Sequence, residues 1–242
     1  MPTASNTTRA APRGATDRHS RIMSLYGLLG ANHGAASLDQ VRSLGFTRSA
    51  IAHLVHTGTL RRAGPGVFIA GAAPNTWHQQ LQIAALTPGV LAISHHTAAR
   101  LHGLAGVLQS HASERYRRDD DAGSATDPVE VLVERGARPH VDDSVIVHFT
   151  RADPVQVRTG RTVCIDSIPV LDLGTVICQM AEVLDAAALR STVVAVLSTG
   201  SLSQRRERLR QITEAVRWWR CPGRRGPRLV ADALVAVGLG AP

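Results

Sequence analysis

The chain has 242 residues, 44% hydrophobic and only 3% aromatic, enough for one large or two small domains whose core must rest on Leu, Val, Ile and Ala. All 27 cationic residues are arginine, which excludes chemistry that needs a lysine: a P-loop lysine, a Schiff base, a lysine-completed nuclease motif. The net charge of +8 is concentrated at the two ends, with eight Arg against two acids in residues 1–71 and nine against three in residues 201–242, around a middle with ten against fourteen. Such asymmetry points to a polyanion-binding surface at one or both ends.

Residues 1–18 lack the apolar stretch of a signal peptide and read as a disordered tail. No uncharged apolar run of about 18 residues follows, so no membrane partner is expected. Cys164, Cys178 and Cys221 form no C-x-x-C pair, which fits a reducing cytoplasm and suggests neither a disulfide framework nor a zinc knuckle.

The first helix is predicted over residues 19–32, with Ile22, Leu25, Tyr26 and Leu29 on one buried face. Ser37 and Gln40 have the spacing of a capping box, so a short second helix follows, ended by Gly45. Thr47 can cap a third helix. Its Ile51, Leu54 and Val55 make an inward stripe, and Ser49, Ala52, His53 and His56 an outward face that is polar, small and free of acids. Gly58 stops that helix, and "TLRR" and "GVFIA" read as two strands joined by the turn Ala63-Gly64-Pro65-Gly66. Helix, tight turn, helix and hairpin in this order predict a winged helix-turn-helix over residues 19–72.

Residues 75–87 and 94–104 read as helices opening at Thr or Ser caps. The polar run 111–128 has no packing period. "VEVLVER" (129–135) and "SVIVHFTR" (144–151) read as paired strands, and "TVCIDSIPVLDL" as one more. Two helices within 173–199, separated near Asp185, an arginine-studded helix from Ser201, a basic loop and a last apolar helix complete an α/β domain over residues 73–242. The expected fold class is α+β.

Duplex DNA suits the first domain: a major groove about 12 Å wide accepts a helix, and hairpin wings lie against the backbone or the minor groove. Candidate contacts are Arg48, Ser49, His53, His56, Arg61 and Arg62. Winged helices also serve as protein-interaction modules, which is the alternative. His95, His96, His102 and His111 have no H-E-x-x-H or paired-Cys spacing, so no metal is expected. Asp127, Glu130 and Glu134 read as the outward acids of a half-exposed strand, the alternative being a nuclease-like metal site on the face shared by Glu130 and Glu134. No serine nucleophile elbow or dinucleotide glycine fingerprint occurs; no enzyme activity and no cofactor are expected. Arg205, Arg206, Arg208 and Arg210 would extend a DNA footprint, receive an acidic partner or simply be solvated; Trp218 and Trp219 read as interface or core.

"TRSAIAHLVHTGTLRRAGPGVFIAG" (47–71), "TWHQQLQIAAL" (76–86) and "ISHHTAARLHGL" (93–104) resemble, in order and spacing, the AbiEi family of type IV toxin-antitoxin antitoxins. The resemblance implies an N-terminal winged helix that binds inverted repeats in its own promoter and represses it, followed by an antitoxin-like domain. It also implies a nucleotidyltransferase toxin encoded nearby, neutralised without a stable complex. Carried over by motif, Arg48, Ser49, His53, Arg61 and Arg62 fall in the DNA-reading helix and wing. With the sequence ending at Pro242, the Vsr-like endonuclease domain of many relatives is not expected. It has "LDLGTV" (171–176) where relatives usually have a Thr-Ser-Pro-Ala-Arg-Thr type run.

Overall fold

The computed structural model describes residues 13–104, 128–220 and 224–239. Helices and mixed sheets make it an α+β protein that divides into two compact units, Met1–Pro74 and Asn75–Pro242. Among the described residues no helix is long and apolar enough to cross a membrane.

The first unit runs α1 (Arg13–Ala31), β1 (Ala35–Ser37), α2 (Leu38–Ser43), α3 (Arg48–His56), β2 (Leu60–Gly64) and β3 (Val67–Ala70). Helix α1 begins inside the segment expected to be a disordered tail, so residues 13–18 correct that expectation; residues 1–12 lie outside the described ones. Leu25 and Leu29 face inward and Ile22 packs partly buried beside them, but Tyr26 is 50% exposed, and Leu28 packs on that face instead. Ser37 makes the predicted capping box: its hydroxyl accepts from the Gln40 N–H, and the Gln40 side-chain oxygen Oε1 accepts from the Ser37 N–H at 2.8 Å. Gly45 takes φ +85, as its place after α2 requires.

Strand β1 was missed by sequence reasoning because three residues show no period. It pairs antiparallel with β3, which pairs antiparallel with β2, giving the order β1-β3-β2. The sheet closes over Leu25, Val41, Phe46, Ile51, Leu54, Leu60 and Phe68. Gly71 allows the hairpin to return past the end of α3: a Cβ there would lie 1.8 Å from the Gly58 carbonyl oxygen.

The second unit comprises α4 (Trp77–Leu86), β4 (Val90–Ile93), α5 (His95–Leu101), β5 (Val129–Glu134), β6 (Val145–Thr150), α6 (Pro154–Gly160), β7 (Thr162–Ile165), β8 (Ile168–Leu171), α7 (Leu173–Met180), α8 (Ala186–Ser198), α9 (Leu202–Trp218) and α10 (Gly226–Ala236). Its five strands order as β6-β5-β4-β8-β7. The central strand β4 is fully buried and reads in sequence as a bare four-residue apolar run, which is why it went unpredicted. The two strands expected to pair, β5 and β6, do pair, and they run parallel. The connection 135–144 carries the chain back along β5 without a helix. The predicted single strand "TVCIDSIPVLDL" is instead a hairpin, β7 and β8, turned at Asp166 and Ser167, both with positive φ. Asp185, read as the break between two helices, is the N-cap of α8, and Gly174 lets α7 and α9 cross closely, since a Cβ there would meet the Gln211 carbonyl oxygen at 2.3 Å.

Candidate nucleic-acid interface

Helix α3 is capped by Thr47, whose hydroxyl accepts from the Ala50 N–H at 3.2 Å and lies 3.0 Å from the Ser49 hydroxyl. The cap fixes the helix entry, and the bond from Arg21 Nη1 to the Gly45 carbonyl at 3.0 Å ties the preceding turn to α1. Ile51 and Leu54 are buried, and Arg48, Ser49, Ala52, His53 and His56 are all exposed. The structure therefore brings four of the six candidate contacts onto one helix surface. Within residues 18–74 the only acid is Asp39, on α2.

The ribbon β2–β3 carries the other two, one on each of its faces. Adjacent strand residues point to opposite faces, so Arg61 lies opposite Ile69 and Arg62 opposite Phe68. Arg61 Nε donates to the Gly71 carbonyl at 3.1 Å, while the Arg62 guanidinium sits 5.4 Å from the centre of the Phe68 ring. Both side chains stay exposed, each held by one contact.

In the second unit the Glu130 carboxylate, 2% exposed, is surrounded by donors. The N–H groups of His96 (2.6 Å) and Thr97 (3.2 Å) donate to it, the Thr97 hydroxyl accepts from the Glu130 N–H at 3.0 Å, and His148 Nε2 lies 3.2 Å from its other oxygen. Burial alone would raise the Glu130 pKa; hydrogen bonds from His148 and His96 outweigh it and hold the carboxyl well below the usual range. Glu130 thus caps α5 from across the sheet. Ser94, the expected cap, makes no such bond; its hydroxyl lies against His95 Nδ1.

His95 stacks on His148 with ring centres 3.5 Å apart, has φ 50, and donates its N–H to Gln179. Burial, with His148 beside it, pushes its pKa down to about 3. The second acid of the nuclease-like alternative, Glu134, is exposed at the far end of the strand. Four residues of strand put it roughly 13 Å from Glu130, beyond reach of a shared ion. Asp127 and His111 lie outside the described residues, among which no group of three His, Cys, Asp or Glu is placed to hold a metal.

The arginine-rich helix α9 holds most of its arginines by contacts within its own unit. Arg205 donates to the Gly200 carbonyl, Arg208 to the carbonyls of Val196 and Thr199 at the end of α8, and Arg210 pairs with Glu207 and Glu214. Arg206 is exposed. Trp219 is core at 2% exposure, and Trp218 donates to Gln156. Sequence reasoning also passed over Arg135, Arg138 and Arg151, which border one cleft because β5 and β6 end side by side. Scattered arginines carry no signal of that proximity.

No family model matches the sequence, and no curated protein matches it. Among solved structures the chain is similar to the crystal structure of RV2827C protein from Mycobacterium tuberculosis, at 16% identity and a TM-score of 0.38, over 93% of this chain and 83% of that one. A likeness that distant carries no functional argument.

Proposed function

We propose that the first unit is a winged helix that binds duplex DNA and represses transcription from its own promoter, as the antitoxin of a type IV toxin-antitoxin system. The observation that carries the DNA reading is the exposed, acid-free face of α3, which packs against a ribbon bearing two exposed arginines. In this reading α3 enters the major groove, with Ser49 and His53 facing base edges and His56 nearer the rim. Arg48, in the first turn of a helix whose positive end attracts anions, contacts phosphate. Arg61 and Arg62 reach the backbone from opposite faces of the wing, so they meet different phosphates. The antitoxin role and the nucleotidyltransferase toxin rest on the resemblance to AbiEi proteins.

The test is binding of the full chain to its own upstream duplex and to a scrambled duplex across a salt series. Specific binding that weakens with salt is expected, and each arginine-phosphate contact removed should lower the slope of log K against log salt by about 0.9. Arg61→Ala/Arg62→Ala should therefore flatten it by roughly two contacts. Equal affinity for both duplexes would refute the operator reading, and no binding to either would refute DNA recognition by this unit.

A further inference from the structure

Strands β5 and β6 run parallel, and their C-terminal ends open onto a cleft of about 920 Å³. Arg135 follows β5 directly, Arg138 lies in the connection, Arg151 follows β6 directly, and Arg224 comes from the segment before α10. Among the described residues four arginines and no carboxylate line the site, although the middle of the chain is acidic overall. Arg224 is set in place by a 3.2 Å bond to the Thr150 hydroxyl and by stacking 4.1 Å above the Trp219 ring. Phe149, at the same strand ends, is 56% exposed although its neighbour in the ladder, Val133, is fully buried.

We propose that this cleft binds a nucleotide, its phosphates among Arg135, Arg138, Arg151 and Arg224 and its base laid on Phe149. The arginines present forked donors suited to phosphate oxygens. An exposed aromatic beside them offers the stacking surface by which proteins hold unpaired bases. The cleft's volume falls within the roughly 300–1,000 Å³ range of small-ligand sites. Duplex DNA is the wrong occupant for Phe149, because its bases are stacked on one another and show no free face. Two sources share the required chemistry: a free nucleoside polyphosphate and the phosphorylated end of a single strand. The site is in the second unit and is independent of the DNA reading of the first.

All three tryptophans, Trp77, Trp218 and Trp219, belong to the second unit, and two of them line the cleft, so intrinsic fluorescence reports occupancy there and not on the first unit. The full chain is titrated with ATP, adenosine, inorganic tripolyphosphate and a 5′-phosphorylated oligothymidylate. Saturable quenching by ATP is expected, with adenosine and tripolyphosphate each at least about tenfold weaker. Arg135→Ala/Arg138→Ala should weaken ATP by about tenfold or more. Phe149→Ala should weaken ATP but leave tripolyphosphate unchanged, with both variants melting like the parent chain. An oligonucleotide that displaces ATP and binds tighter assigns the site to strand ends; one that fails to displace it assigns the site to free nucleotides. Quenching that never saturates with ATP or oligonucleotide would overturn the proposal. So would tripolyphosphate matching ATP with Phe149→Ala silent, which would leave an anion site without a base.

Discussion

Replacing Glu130 tests whether it is a structural cap. Glu130→Ala removes the acceptor for two backbone N–H groups at the start of α5, at 2.6 and 3.2 Å, and the partner of His148. Each buried donor left unsatisfied costs about 1–3 kcal/mol, and breaking a buried charged network by deleting one member about 3–5. The two figures describe the same loss, so about 3–5 kcal/mol is expected for Glu130→Ala. Glu130→Gln keeps an oxygen in place but gives up the charge, which roughly halves the strength of such bonds; about 1–2 kcal/mol is expected. Urea unfolding at neutral pH, followed by tryptophan fluorescence, reads the second unit selectively because it holds all three tryptophans. With a slope near 2 kcal/mol per molar urea, typical of small domains, Glu130→Ala should move the midpoint down by roughly 2 M. Duplex affinity per folded molecule should not change. A loss below about 1 kcal/mol for Glu130→Ala, or equal losses for Ala and Gln, would refute the capping argument.

Further outcomes follow from the same contacts. Gly71→Ala places a Cβ against the Gly58 carbonyl, so the hairpin must shift; a loss of about 1–3 kcal/mol in the first unit and weaker DNA binding are expected, measured by thermal melting with circular dichroism and by anisotropy. Arg208→Ala removes two bonds to the carbonyls that end α8 and should cost about 1–2 kcal/mol without altering the salt slope of DNA binding, whereas a flatter slope would return α9 to the DNA footprint.

Acid should weaken the second unit in two stages. The folded pKa of His95 is lowered from 6.5 to about 3, so between those values the unfolded chain binds a proton that the folded chain does not, and stability falls as pH falls, by at most about 1.4 kcal/mol per pH unit for this group. His102, also lowered by burial, acts in the same direction. Glu130 has a depressed pKa, so its contribution is complete above the unfolded carboxyl value near 4.5 and is lost as pH falls from there toward its folded value. His95→Asn tolerates the positive φ and cannot titrate; it should reduce the dependence between pH 6.5 and 5, read by urea midpoints, and an unchanged dependence would contradict the assignment to His95.

The features legible in the sequence were those set within a few residues. Ser37 with Gln40, Thr47 and Thr76 are caps whose partners lie three residues away, and each forms as its spacing dictates; Asp185 and Ser201 with Gln204 cap α8 and α9 in the same way, though in sequence they read only as a break and a helix start. The inward stripe and polar outward face of α3 follow likewise from helical period. What the sequence left open depends on residues far apart. Val90–Ile93 becomes the central strand only because β5 and β8 flank it, and β5 and β6 are parallel because the chain returns to the start of the strand before pairing. Glu130, one acid in an alternating strand by sequence, becomes a helix cap because α5, 33 residues earlier at Thr97, is packed against it. The cleft of Arg135, Arg138 and Arg151 exists for the same reason. Local backbone bonds need only their own window of sequence, whereas strand order, burial and the meeting of distant charges are decided by which apolar surfaces the whole chain can bury at once.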